Sequence, residues 1–250
     1  MKQQSTTTLR PPARAAAPAP GAAKRKQQST LIIIAAVVVV AIIAVGALIL
    51  LSGQTQTSGI NFSTVPQSRA EDGGFVLGNP DAPITLVEFA DYGCPHCQAY
   101  KETMDRFVSD YVLTGQAKFE FRVFPTAGGA LTEFAGRVVQ CVADAKPGSY
   151  WQVHEVFYDL AMSGRYSDQM GRTVAERMGV DYTQILNCTG SADQVQTDVA
   201  LGRRVGVTGT PAVLVRYGDS EPTYITLNGQ TYDRGSVPYE VLQQVVAQAQ

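Results

Sequence analysis

Cys94-Pro95-His96-Cys97 sets two thiols two residues apart with an imidazole between them. Such a pair can hold a metal ion or exchange disulfides. Zinc normally takes four ligands, whereas the other cysteines, Cys141 and Cys188, lie far along the chain and His154 is the sole other histidine. No metal site or other cofactor is expected. In thiol-disulfide exchange the pair closes into a small disulfide that a thiolate attacks. If the pair opens a helix, the unpaired amides of the first turn favour an anion beside them. Cys94 is then the exposed sulfur that meets substrate, and Cys97, one turn into the helix, its buried resolving partner. Pro95-His96 belongs to the same chemistry, because an imidazole beside Cys94 favours the thiolate and so makes the disulfide a stronger oxidant. The bland alternative for His96 is an uninvolved surface residue.

The flanking patterns place the pair at a strand-to-helix turn. Asn79-Pro80-Asp81-Ala82-Pro83 is turn chemistry, and Ile84 to Ala90 is a nearly continuous β-prone run of the kind covered on both faces. After Cys97, Tyr100, Met104, Phe107, Val108, Tyr111 and Val112 form one stripe of an amphipathic helix that stops near Thr114-Gly115. Ala117 to Phe124 alternates as a second strand, and a strand-helix-strand unit of this length makes a right-handed parallel pair. Helical patterns follow over Leu131 to Ala145, Ser149 to Met162, Asp168 to Met178, Tyr182 to Asn187 and Asp193 to Arg204. Ala212 to Tyr217 and Thr223 to Leu227 read as strands, and Ser236 to Ala249 as a closing helix with Ser236 as N-cap.

Three further features bear on the pair. Glu88 interrupts the central strand six residues before Cys94; buried, its carboxyl would have a raised pKa and could pass a proton to or from Cys97, while an edge-facing surface glutamate is the other reading. His154 lies on a helix with an aromatic face, where a packed or hydrogen-bonded histidine is favoured over a catalytic one. Cys141 and Cys188 read as a structural disulfide, with two free buried thiols as the alternative.

Leu77 to Pro83, Val87 to Cys97 and Gly206-Val207-Thr208-Gly209-Thr210-Pro211-Ala212 together resemble the DsbA-like family of thioredoxin-fold proteins, over essentially all of 75–250. The resemblance implies an α/β thioredoxin fold carrying an α-helical insertion, about 127–206. It also implies a buried acid at Glu88 and a cis Thr210-Pro211 bond facing the cysteines, whose exposed backbone positions a substrate strand. By the same resemblance the chain is a dithiol oxidase acting on reduced exported polypeptides and regenerated by a quinone-linked membrane oxidoreductase. The family's best-known oxidases often carry Val before this proline, so Thr210 leaves open a reductase or isomerase, for example in cytochrome maturation. A membrane-anchored binding or metal-delivery module is the reading from another class.

The rest of the chain places this domain. From Leu31 to Leu51 every residue is apolar, and as a helix the run spans roughly 30 Å, the thickness of a bilayer core. Lys2, Arg10, Arg14, Lys24, Arg25 and Lys26 precede it with no acidic residue. Positive-inside bias then puts the N-terminus in the cytoplasm and the cysteines outside. A retained single-pass anchor is favoured over a cleaved signal peptide by the length of the run. The expected organisation is a disordered tail (1–30), the anchor (31–51), a Ser/Thr/Gln-rich linker (52–74) and the folded domain (75–250). All four cysteines lie beyond the anchor, as an oxidising compartment permits. A net charge of −2 gives no footprint for nucleic acid.

Overall fold

The apolar run before the cysteines is buried from end to end because it becomes a strand with a neighbour on each side. In the computed structural model, which describes residues 59–250, a 3-10 turn (Phe62–Thr64) precedes strands β1 (Gln67–Arg69), β2 (Phe75–Leu77) and β3 (Ile84–Ala90). Helix α1 (Pro95–Phe107) runs into a π-helical turn (Val108–Val112) and leads to β4 (Lys118–Val123). Five helices follow: α2 (Gly129–Ala145), α3 (Tyr150–Met162), α4 (Met170–Met178), α5 (Tyr182–Thr189) and α6 (Gln194–Arg204). The chain closes with β5 (Ala212–Tyr217), β6 (Thr223–Leu227), β7 (Gln230–Tyr232) and α7 (Tyr239–Ala249). The sheet order is β1-β2-β4-β3-β5-β6-β7. β3 lies parallel to β4 and antiparallel to β5, so both its edges are paired and both its faces covered.

Alternation along β3 divides its residues between two cores. Ile84, Leu86 and Ala90 join the larger cluster with Tyr100, Met104 and Phe107 of α1 and Trp151 and Phe157 of α3. Val87 and Phe89 join a smaller one with Leu201 of α6 and Leu214 of β5. Glu88, between Leu86 and Ala90 in this alternation, therefore faces the α1 side. Glu120 and Arg122 of β4 are buried on the opposite side. Arg122, with no exposed side-chain surface, pairs with Glu120 at 2.6 Å, Asp72 at 2.7 Å and Asp198 of α6 at 3.0 Å. These pairs tie the turn between β1 and β2, and α6, to the centre of the sheet.

Several expectations shift. The strand β1 and the 3-10 turn fall in the stretch read as linker, so the fold begins before Phe75; a three-residue strand is too short to show a period. Ser236 does not cap the last helix, which starts at Tyr239 behind Pro238 with no side-chain cap. Val237, Leu242, Val245 and Val246 are nevertheless buried. The insertion leaves the sheet after β4 and returns before β5, where Cys141 of α2 and Cys188 of α5 form a disulfide with Cα atoms 5.8 Å apart. The expected tail, the anchor and the start of the linker (52–58) lie outside the described residues. Among the described residues no helix is long and apolar enough to cross a membrane.

Candidate active site

The turn between β3 and α1 is built by its own sequence. Cys94 is the N-cap of α1 with extended backbone (φ −82°, ψ 120°), and Pro95 occupies the first turn, where its missing N–H costs nothing. The buried stripe of α1, Cys97, Tyr100, Lys101, Met104 and Phe107, pulls the helix down onto the sheet. Cys97 is thereby sealed at 0% exposure, while Pro95 and His96 remain exposed. Cys94 was expected to be open, yet keeps only 5% of its surface. The reason is the loop opposite: Thr210-Pro211 is a cis peptide, and the Thr210 carbonyl oxygen accepts from Cys94 Sγ at 3.6 Å. Both cysteines are free thiols.

Burial pushes the Cys97 thiol well above its ordinary pKa; the Glu88 carboxyl adds to the rise, and hydrogen bonds involving Asp91 and Thr210 oppose it. Glu88 is itself 2% exposed, and its Oε1 has no hydrogen-bond partner. Burial raises its pKa to about 8 against the pull of Lys101, with Asp105 adding to the rise. Lys101 is shared between Asp105 at 2.5 Å and Glu155 at 2.7 Å. These four side chains and His154 line a cavity of about 10 Å³, the size of one water. A protonatable acid that acts on the Cys97 thiol is thus connected to a charged cluster further along α1. His154 packs edge-on against Phe121, with its Nδ1 3.3 Å from the Tyr92 hydroxyl. Burial holds its pKa well below the ordinary value, so it is a core residue.

Asp91, which sequence reasoning passed over, organises the turn from below. Fully buried, it accepts the backbone N–H groups of Gly93 at 2.7 Å, Thr126 at 2.6 Å and Gly128 at 2.8 Å, and the hydroxyls of Thr126 and Thr132. Gly128 has to be glycine here, because a Cβ would stand 2.2 Å from Thr132 Oγ1 and 2.6 Å from Asp91 Oδ1. An Asp directly after an apolar strand and before a Tyr-Gly turn was the available signal, since such side chains take up turn amides. The Thr126 hydroxyl then meets the Thr210 hydroxyl at 2.6 Å. The structure thus gathers Glu88, Cys94, Cys97, Thr210 and Pro211 in one place, with Pro95 and His96 on the rim. Cys141 and Cys188 stand apart within the helical insert.

A cysteine pair at the start of the helix that follows the central strand, faced by a cis-proline loop, defines a thioredoxin-type site. Residues 70–221 match the Thioredoxin family model, and the chain belongs to that family. The resemblance to the DsbA-like thiol:disulfide oxidoreductases within it is borne out by its relatives. Disulfide bond formation protein D of Bacillus subtilis is 27% identical over 56% of this chain, which spans 66% of that protein's length. Among solved structures, oxidised BdbD from the same species superposes with a TM-score of 0.55 at 22% identity, over 70% of this chain and 91% of that one. Wolbachia pipientis alpha-DsbA1 does so with a TM-score of 0.56 at 19% identity, over 70% and 89%.

Proposed function

We propose that this chain is an extracytoplasmic dithiol oxidase that introduces disulfides into exported polypeptides through Cys94 and Cys97. The observation that carries the reading is the asymmetry of the pair: Cys94 caps the helix under the Thr210 carbonyl, while Cys97 lies sealed beside a Glu88 carboxyl whose pKa is about 8. In the oxidised protein a substrate thiolate attacks Cys94 Sγ, the Cys94–Cys97 bond breaks, and the electron pair leaves on Cys97. Glu88 gives that sulfur a proton, which its raised pKa lets it hold near neutrality. A second substrate thiolate then attacks the substrate sulfur of the mixed disulfide and expels Cys94. The substrate leaves oxidised by two electrons and the protein is left as the dithiol. The cis Thr210-Pro211 loop offers backbone groups to an extended substrate segment.

The name of the Bacillus subtilis relative, a disulfide bond formation protein, supports the same direction. Reoxidation falls to a quinone-linked membrane oxidoreductase, and the apolar run 31–51 holds the domain at the outer face of the cell membrane. Equilibration of the Cys94–Cys97 couple against glutathione decides the direction. A potential well above the roughly −270 mV of thioredoxin supports an oxidase; a value near it makes the chain a reductase. A Cys94→Ser variant that still oxidised a reduced peptide would remove the enzymatic reading altogether.

A further inference from the structure

The loop between α3 and α4 sends an aromatic ring back to the cysteine turn. Tyr166 leaves the helical insert there, and its hydroxyl lies 2.8 Å from that of Thr132, which bonds to the buried Asp91. The ring edge rests on Gly93, the residue directly before Cys94: a Cβ on Gly93 would stand 3.2 Å from Tyr166 Cε1 and 2.7 Å from Gly128 Cα. Two glycines thus meet where side chains would otherwise separate the ring from the turn that carries Cys94. Tyr166 is half-buried, while Arg165 and Ser167 on either side of it are exposed. Its hydroxyl end and one edge are taken up by contacts, so the open part is ring. Burial pushes its pKa up, and the Asp91 charge adds to the rise against the Thr132 hydrogen bond, so the surface it offers is neutral. The neighbouring cation, Arg165, is turned to Asp159 of α3.

We propose that Tyr166 is a specificity-determining residue: the open part of its ring packs against an apolar side chain that flanks the substrate cysteine attacking Cys94. This rests on the thiol-exchange reading of Cys94 and Cys97. Consecutive Cα atoms are about 3.8 Å apart, so the residues next to a sulfur that has reached Cys94 lie within reach of a ring resting on Gly93. Neither Gly93 nor Gly128 has a side chain to compete for that place. Apolar surface laid on the ring leaves water and favours binding, whereas a glycine there gains nothing. An acidic flank would meet the negative face of the ring and lose its hydration. The bond to Thr132 holds the ring in place without being part of the surface it offers.

The experiment mixes the oxidised full chain, in excess, with either of two reduced two-cysteine peptides that differ only in the residues flanking one cysteine, Leu in one and Gly in the other. Each peptide disulfide formed leaves one chain as the dithiol, and the rates are normalised to the uncatalysed exchange of each peptide with glutathione disulfide. The wild type is expected to oxidise the Leu peptide about fivefold faster. Tyr166→Ala should bring that ratio to about one by slowing the Leu peptide. Tyr166→Phe, which keeps the ring and loses only the bond to Thr132, should retain the preference. The potential of the Cys94–Cys97 couple in glutathione buffers should be alike in all three chains, because that equilibrium contains no peptide to contact. A wild type without the preference, or a Tyr166→Ala chain that keeps it, overturns the inference and leaves the exchange reading intact. So does a Tyr166→Ala chain that slows both peptides alike with a shifted potential, which would make Tyr166 a support of the turn. A wild-type chain that oxidises neither peptide overturns both.

Discussion

The Thr210 carbonyl oxygen stands 3.6 Å from Cys94 Sγ. The two residues come from loops 116 positions apart, so the Cys94 sulfur is shielded by a separate part of the chain from the one that carries it.

Cys97→Ser should trap what the wild type releases. With the resolving thiol gone, the Cys94 thiolate that attacks a peptide disulfide expels one peptide thiol and stays bonded to the other sulfur, so covalent adducts with an oxidised peptide should accumulate. Mass spectrometry under non-reducing conditions reads the adduct. Cys94→Ser should form none, since the remaining thiol is sealed and its pKa is raised by burial.

Glu88 should make the fold sensitive to alkali. Its carboxyl lies at about 8 in the folded chain against an ordinary 4.5, so the folded state binds the extra proton between those values. The stability it contributes is complete below pH 4.5 and is lost as pH rises through 8. Glu88→Gln should flatten that decline and gain on the order of 3 kcal/mol above pH 8. Urea midpoints at pH 5 and pH 8.5 check it; parallel declines in the two proteins would sink the assignment. The same substitution should slow peptide oxidation near neutrality by removing the proton donor to Cys97.

Breaking the ion cluster on β4 should unfold more than it disables. Arg122→Ala leaves Asp198 buried without its cation and Glu120 with Arg216 alone, and removing one partner of a buried pair costs about 3 to 5 kcal/mol. Thermal melting should show a large drop, with the redox potential of the surviving folded fraction unchanged.

The disulfide of the helical insert should separate from catalysis in the same way. Replacing Cys141 and Cys188 together by Ala opens a loop whose ends are 47 residues apart, for which chain entropy gives a loss of about 4 kcal/mol. Peptide oxidation per folded molecule should persist. Its disappearance would mean that the second pair takes part in electron transfer.

The parts of the fold that were legible are those whose burial is one-dimensional. Ile84 to Ala90 reads as a central strand because both faces are apolar, and the stripe from Tyr100 to Val112 reads as a helix because one face is. What needed the fold was the third dimension. Lys118, Glu120 and Arg122 alternate with apolar residues exactly as a solvent-facing edge would, yet α6 covers Glu120 and Arg122 and turns them into an ion cluster. The face taken by Glu88 depends on its register between β4 and β5. Asp91 offered only the local signal of its bond to the Gly93 amide; its other donors come from residues 126 to 132, which nothing in the linear chain brings near it.

The helical insert leaves the sheet at Thr126 and rejoins it at Thr210, and those two side chains touch at 2.6 Å although 84 positions separate them. An excursion whose base is already stapled shut can change length or be exchanged wholesale at small entropic cost, without moving the sulfurs. The cysteine pair and the insert can therefore diverge independently, one fixed by the sheet and the other carried on a replaceable cassette.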